Sequence, residues 1–264
     1  FLNEKIKIIS HNNKKLNIEG YVEFKDLNFC YEETKINALK NVSFKINKGE
    51  SLGIIGPVGS GKSTLLELIV RNYDPQSGKI LIDNIDLKDH NRENVREYIS
   101  YVPQTTLLFS DTIVNNIKFG KNDADIQEIK KYAKISCIDN EIERFSLKYD
   151  SVLGERGINL SGGQKQRISL ARALIKKPKI LLLDDCLSAV DISTEKEITN
   201  NLQIETGNIT KIIVSHRIST ITECDKIMVL FNGEILQIGT HDELINDTNG
   251  YYHQIDLKQN KKNH

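Results

Sequence analysis

Nine consecutive residues, Gly56-Pro57-Val58-Gly59-Ser60-Gly61-Lys62-Ser63-Thr64, hold the densest chemistry in this 264-residue chain. The glycines let the backbone fold tightly enough for successive N–H groups, and the positive end of a following helix, to converge on a polyphosphate. Lys62 adds an ammonium for the β and γ phosphates, and Ser63 a hydroxyl for Mg²⁺. Asp184 ends the apolar run Ile180-Leu181-Leu182-Leu183. A carboxylate at the end of such a strand is placed to hold Mg²⁺ through its water shell. Asp185 follows and is expected to point the other way. It either polarises a water that attacks the γ phosphate or caps the loop Asp185-Cys186-Leu187-Ser188. Gln104, at the end of another strand, is either a ligand of Mg²⁺ or its water, or a plain loop residue. His216 is either a γ-phosphate donor or a structural histidine.

Ser161-Gly162-Gly163-Gln164 forms a second constellation. Ser161 and Gln164 have the S-x-x-Q spacing of a capping box. Two glycines in the first turn weaken the helix and leave its N–H groups uncovered, as a phosphate site would need. With one phosphate loop in the chain, this helix start is expected to serve the nucleotide of another subunit.

These residues need particular elements beneath them. Leu52-Gly53-Ile54-Ile55 reads as the buried strand before the phosphate loop, and Leu65, Leu68 and Ile69 as the apolar face of the helix after it. Alternation at Val22, Phe24, Leu27 and Phe29, and again at Val42, Phe44 and Ile46, predicts an early antiparallel pair. Strands follow at 79–82 and 99–102. Helical periodicity dominates from about 111 to 176, a helical insertion between strands of the sheet. The sheet returns at 180–183, 211–214 and 226–230, with a hairpin turn at Asn232-Gly233 and two short helices at the end. The fold class is α/β, with an antiparallel β lobe and a helical lobe. Residues 1 to about 20, polar and rich in Asn and Lys, read as a tether.

Lysines plus arginines number 36 and acids 36, so the formal net charge is zero, with a pI near 7.2. No field draws in nucleic acid by charge alone, and no nucleic-acid partner is expected. The four cysteines form no C-x-x-C pair, which argues against zinc and disulfides and fits a reduced setting. No apolar run reaches the roughly 18 residues of a membrane helix.

From about Tyr21 to Leu257 the chain resembles the nucleotide-binding domain of ATP-binding cassette (ABC) transporters. Gly56–Thr64 matches Walker A, Gln104 the Q-loop, Leu160–Gln164 the signature and Ile180–Asp184 Walker B. Ser188-Ala189-Val190-Asp191 matches the D-loop and His216 the switch histidine. The resemblance implies a P-loop NTPase core with a helical signature-motif subdomain over about 105–176, a nucleotide-binding domain over 21–258, a linker at 1–20 and a polar tail at 259–264. It implies ATP and Mg²⁺ as ligands, Mg²⁺ being held by Ser63, Gln104 and Asp184, and Tyr31 as the aromatic that stacks on adenine. Tyr101-Val102-Pro103-Gln104, Leu108 to Ile113, Asn116-Ile117 and Gly154-Glu155-Arg156-Gly157 are similar to exporters in which membrane and ATPase domains share one polypeptide. Such proteins dimerise around two ATP molecules and meet their transmembrane domain through coupling helices at the cytoplasmic face of a membrane. The family usually has Glu after the Walker B aspartate, and here it is Asp185. Losing a methylene withdraws the carboxylate by about 1 Å, a misplacement that can cost about 10²-fold in rate. That pattern is similar to the degenerate-site subunit of heterodimeric exporters. A homodimer with Asp185 as a working base, a regulatory ATP-binding module and a soluble ABC ATPase are the competing readings.

Overall fold

The computed structural model describes residues 17–154 and 159–260. Most of the expected tether, the last four residues of the tail, and Glu155, Arg156 and Gly157 of the loop before the signature lie outside the described residues.

Alternating burial builds β1 (Val22–Cys30) and β2 (Asn37–Ile46), an antiparallel pair with Phe24 opposite Phe44. Their rings stack with centroids 4.5 Å apart, a cross-strand contact worth about 0.5–1 kcal/mol. β3 (Ser51–Ile55), buried throughout, feeds α1 (Lys62–Ile69). β4 (Ser77–Ile82) and β5 (Ile85–Asp86) follow, then α2 (Arg92–Tyr98) and β6 (Ile99–Val102). The helical insertion is α3 (Ile113–Lys118), α4 (Ile126–Ile135), α5 (Asp139–Ile142) and α6 (Gly162–Ile175). β7 (Ile180–Asp184), α7 (Ile192–Glu205), β8 (Thr210–Val214), β9 (Lys226–Phe231) and β10 (Glu234–Gly239) complete the core. The chain closes with α8 (His241–Asn246) and α9 (Tyr251–Asn260). Asn232 and Gly233 both adopt left-handed φ, 50° and 83°, as a tight two-residue hairpin between β9 and β10 requires.

The strands form two sheets, an antiparallel one in the order β2-β1-β4-β5 and a six-stranded one in the order β10-β9-β3-β8-β7-β6. In the second, β9, β3, β8, β7 and β6 run parallel and β10 is an antiparallel edge. Ile180 and Leu182 pack into one core, with the antiparallel sheet and α1. Leu181 and Leu183 pack into a second core on the other face, with α7, α8 and α9. Covering both faces explains the unbroken apolar run of β7, where each fully buried leucine contributes about 2 kcal/mol. A third core, around Ile113, Ile129 and Ile168, holds the helical lobe together. The carboxyl ends of β3, β6, β7 and β8 then face one crevice, where ligands of such sheets bind.

Three expectations need correction. The packed unit begins before residue 21: Ile18 is 1% exposed, and Asp83 accepts the backbone N–H groups of Glu19, Gly20 and Tyr21. It also runs past 258, because α9 reaches Asn260 and Gln259 is hydrogen-bonded to Ile218 and His216. Strand alternation fails at Asp185, which takes a left-handed φ of 46°. The strand stops at Asp184, and the Asp185 carboxylate turns to the strand end instead of continuing the pleat.

Candidate functional site

Gly61 is the N-cap of α1 with φ 100°, and a Cβ there would lie 2.4 Å from the carbonyl oxygen of Ala38. Both the left-handed backbone and the close approach require glycine. Val58, in the middle of the loop, is 89% exposed. Lys62 folds back inside it, donating to the carbonyls of Gly56 at 2.9 Å and Pro57 at 2.8 Å. Burial pulls its ammonium below the ordinary lysine range, and the carboxylates of Asp184 and Asp185 offset part of that. The Ser60 hydroxyl is buried without a hydrogen-bond partner. A buried hydroxyl left without a partner in this loop is the chemistry an incoming phosphate oxygen can satisfy, so the loop fits the group.

Across the crevice, Ser63 Oγ donates to Asp184 Oδ1 at 3.1 Å and Tyr101 Oη donates to Oδ2 at 3.2 Å. Burial holds Asp184 above the usual carboxylate range despite these two donors. Asp185 is held differently. Gln104 Nε2 donates to its Oδ2, and the backbone N–H of His216 to its Oδ1, each at 3.4 Å. The cap of the loop 185–188 is the Asp185 backbone carbonyl, which accepts from Ser188 Oγ at 2.8 Å; the side chain is left to the crevice. The loop lysine, Ser63, Asp184, Asp185, Gln104 and the His216 backbone are thus gathered at one sheet edge. Hydroxyl, carboxylate and amide oxygen are the hard donors that suit Mg²⁺.

Tyr31 lies edge-on to Phe29 and Tyr73. Its hydroxyl is 3.0 Å from Thr64 Oγ1 and donates to Glu67 at 3.3 Å, which sets it against α1. Ser161 to Gln164 sit elsewhere. Both arms of the capping box are formed, Ser161 Oγ accepting from Gln164 N and Gln164 Oε1 from Ser161 N. Ser161 and Gly162 are exposed, and among the described residues no hydrogen bond joins this helix start to Gly56–Thr64. A Cβ on Gly163 would lie 2.7 Å from the carbonyl oxygen of Ala189. Packing against the 188–191 loop is therefore a second reason for glycine in this turn.

Several site neighbours escaped the sequence reading. Gln166 accepts from Ala189 N at 3.0 Å, and Arg217 donates to the carbonyls of Ser188 and Val190 and to Glu195. Together they tie the 188–191 loop to α6 and to the segment after β8. Asp191 itself caps α7, accepting from Thr194 N at 3.0 Å. Arg217 adjoins His216, and Gln166 lies one turn into α6, but neither spacing names its partner. Tyr101 could have been found by alternation along β6.

A family model described as ABC transporter matches residues 39–188. The chain belongs to the ABC transporter family. This ABC transporter domain is 47% identical over 249 residues to the multidrug resistance-like ATP-binding protein MdlA of Buchnera aphidicola, covering 94% of this chain and 43% of that protein. It is 47% identical over 234 residues to the ABC transporter ATP-binding protein YfiB of Bacillus subtilis, covering 89% and 40%. A solved structure of a bacterial Atm1-family ABC exporter with ATP bound superposes with a TM-score of 0.92 at 37% identity, covering 97% of this chain and 45% of that one. The domain spans 40–43% of the length of the first curated relatives it matches. Its two sheets and helical lobe are the ABC ATPase fold, and the bound nucleotide of the family is ATP.

Proposed function

We propose that this ABC ATPase domain is the motor of an exporter whose membrane segment belongs to the same polypeptide, at the cytoplasmic face of a membrane. One observation carries the reading: Ser63 Oγ meets Asp184 Oδ1 at 3.1 Å across 121 positions of sequence, bringing the phosphate loop and the strand-end carboxylate to one point. Ser63, Asp184 and Gln104 would hold Mg²⁺, which neutralises charge on the β and γ oxygens. Lys62 leaves the carbonyls of Gly56 and Pro57 for the phosphates, and Ser60 gains the acceptor it lacks. Tyr31 turns its ring to the adenine. Asp185 accepts a proton from the attacking water while the water oxygen bonds to the γ phosphorus and the bond to ADP breaks. His216 donates to the departing phosphate.

The exposed start of α6 supports a dimer in which Ser161, Gly162, Gly163 and Gln164 complete the nucleotide site of a second such domain. The shortened Asp185 supports a slow site of its own, paired with a partner that carries Glu. The expected linker before residue 17 serves as the connection from a membrane helix. Contact with the transmembrane domain falls on the helical lobe, where Leu107 and Phe119 are 73% and 63% exposed and Arg172 braces the surface by donating to the Leu107 carbonyl at 2.9 Å. Exposed apolar residues gathered in this way mark an interaction surface. Phosphate release and ATP-driven dimerisation, measured with wild type and with Lys62→Ala as the blank, test the reading. ATP binding that produces neither dimers nor phosphate, alone or with a Glu-bearing partner, would leave only a regulatory module.

A further inference from the structure

A cavity of about 200 Å³ runs between α7 and the face of the parallel sheet, from Ser51, Lys211 and Asp225 at the amino ends of β3, β8 and β9 toward Leu187 in the loop after β7. Leu183, Leu187, Leu202 and Ile213 form its apolar wall. Lys211 lines it as well and is 8% exposed. Its ammonium donates to the Thr206 carbonyl at 3.3 Å, which leaves two of its three donors to be placed. Burial lowers its affinity for the proton, and Asp225 opposes that only as a nearby charge. The Asp225 Oδ2 is already taken by Ser51, whose N and Oγ donate to it at 2.7 and 2.6 Å. Glu223 and Asp225 stand exposed at the mouth, and the thiol of Cys224, pushed up to about 12 by burial, stays neutral.

A buried cation whose hydrogen bonds are incomplete attracts an anion, because leaving it unpaired in an apolar setting is costly. Two carboxylates at the mouth attract a cation beside that anion. The apolar wall beside them takes an apolar body, and a dry cavity of about 150 Å³ already holds a benzene ring. We propose that this cavity binds a small zwitterion with an apolar side chain, such as an apolar α-amino acid. Its carboxylate meets Lys211, its ammonium faces Asp225 and Glu223, and its side chain packs on Leu187, Leu202 and Ile213. Leu187 and Thr220 also line the small void beneath Asp185. Occupancy therefore bears on the 185–191 loop and on the segment after His216 without touching the nucleotide.

The test is titration of the 264-residue chain with L-phenylalanine, phenylacetate and phenethylamine, read by calorimetry and by backbone amide shifts, in the absence of nucleotide. L-Phenylalanine is expected to saturate with shifts centred on Lys211, Leu202 and Thr220. The two analogues, each missing one charge, should bind at least ten-fold more weakly, and Lys211→Met should lose at least ten-fold of the amino-acid affinity. Equal binding of either analogue, shifts centred on Gly56 to Thr64, or no saturation by about 10 mM would overturn the proposal. The shift map of the wild type decides the matter if Lys211→Met does not fold.

Discussion

Gln104 Nε2 donates to Asp185 Oδ2 over 3.4 Å, so two residues 81 positions apart face each other across the mouth of the crevice. The contact is long for a charge-assisted hydrogen bond. A side chain one methylene longer would place its carboxylate about 1 Å further into the crevice, toward the water that the proposed mechanism has it deprotonate. Asp185→Glu is therefore expected to raise steady-state ATP turnover ten-fold or more, about 1.4 kcal/mol of barrier. An unchanged rate in a phosphate-release assay would make Asp185 an adequate base and favour a symmetric homodimer.

Asp184 predicts a trade between stability and function. Burial raises its folded-state pKa above the unfolded value. A raised carboxylate favours the fold below the unfolded pKa of about 3.9, and that contribution is lost as pH rises through the folded value. At neutral pH the buried charge is a cost, so Asp184→Asn should raise the Tm of the nucleotide-free protein by about 1–3 °C while abolishing turnover. The gap in Tm should shrink as pH falls through the acidic range in a calorimetric series.

Gly163→Ala tests the second role of the signature turn. Its new Cβ would sit 2.7 Å from the Ala189 carbonyl oxygen, an overpacking expected to cost about 1–3 kcal/mol. Nucleotide binding by the monomer should survive in a fluorescent-ATP titration. ATP-driven dimerisation should fall if, as proposed, this turn completes a partner's site, because it is displaced together with the 188–191 loop.

Arg217→Ala removes the partner of Glu195, which is 2% exposed and also accepts from Thr220. Stranding a buried carboxylate costs about 3–5 kcal/mol. Because the Arg217 side chain is 38% exposed, a loss of about 2 kcal/mol is expected by urea denaturation. Arg217→Ala combined with Glu195→Gln should recover most of it.

Much of this architecture could be read from residue order alone. The apolar run before Asp184, the glycine-rich loop after β3 and the alternation of Phe24 and Phe44 each report a local rule that the folded chain obeys. The capping box of α6 was equally plain, since Ser161 and Gln164 interact over three positions. What stayed hidden depends on backbone that breaks its own period. Nothing in the residue type announces that Asp185 turns left-handed, and that single dihedral decides where its carboxylate goes. The contacts of Gln166 and Arg217 with the 188–191 loop join segments more than 20 positions apart, and they exist only once the helical lobe and the sheet are assembled. The buried placement of Ile18 was legible in part, since it is in phase at period two with Leu16, Val22 and Phe24, but Gly20 interrupts the apolar series and the surrounding Asn and Lys mask it.

Asp83 grips three successive N–H groups at residues 19–21, and Thr210 Oγ1 donates to the Gly20 carbonyl at 2.7 Å. The entering strand is thereby riveted to the antiparallel sheet on one side and to β8 on the other. A pull on the backbone ahead of β1 would meet these bonds before it reached the strand itself. Mechanical work delivered there would reach both sheets at once, through Asp83 on one side and Thr210 on the other.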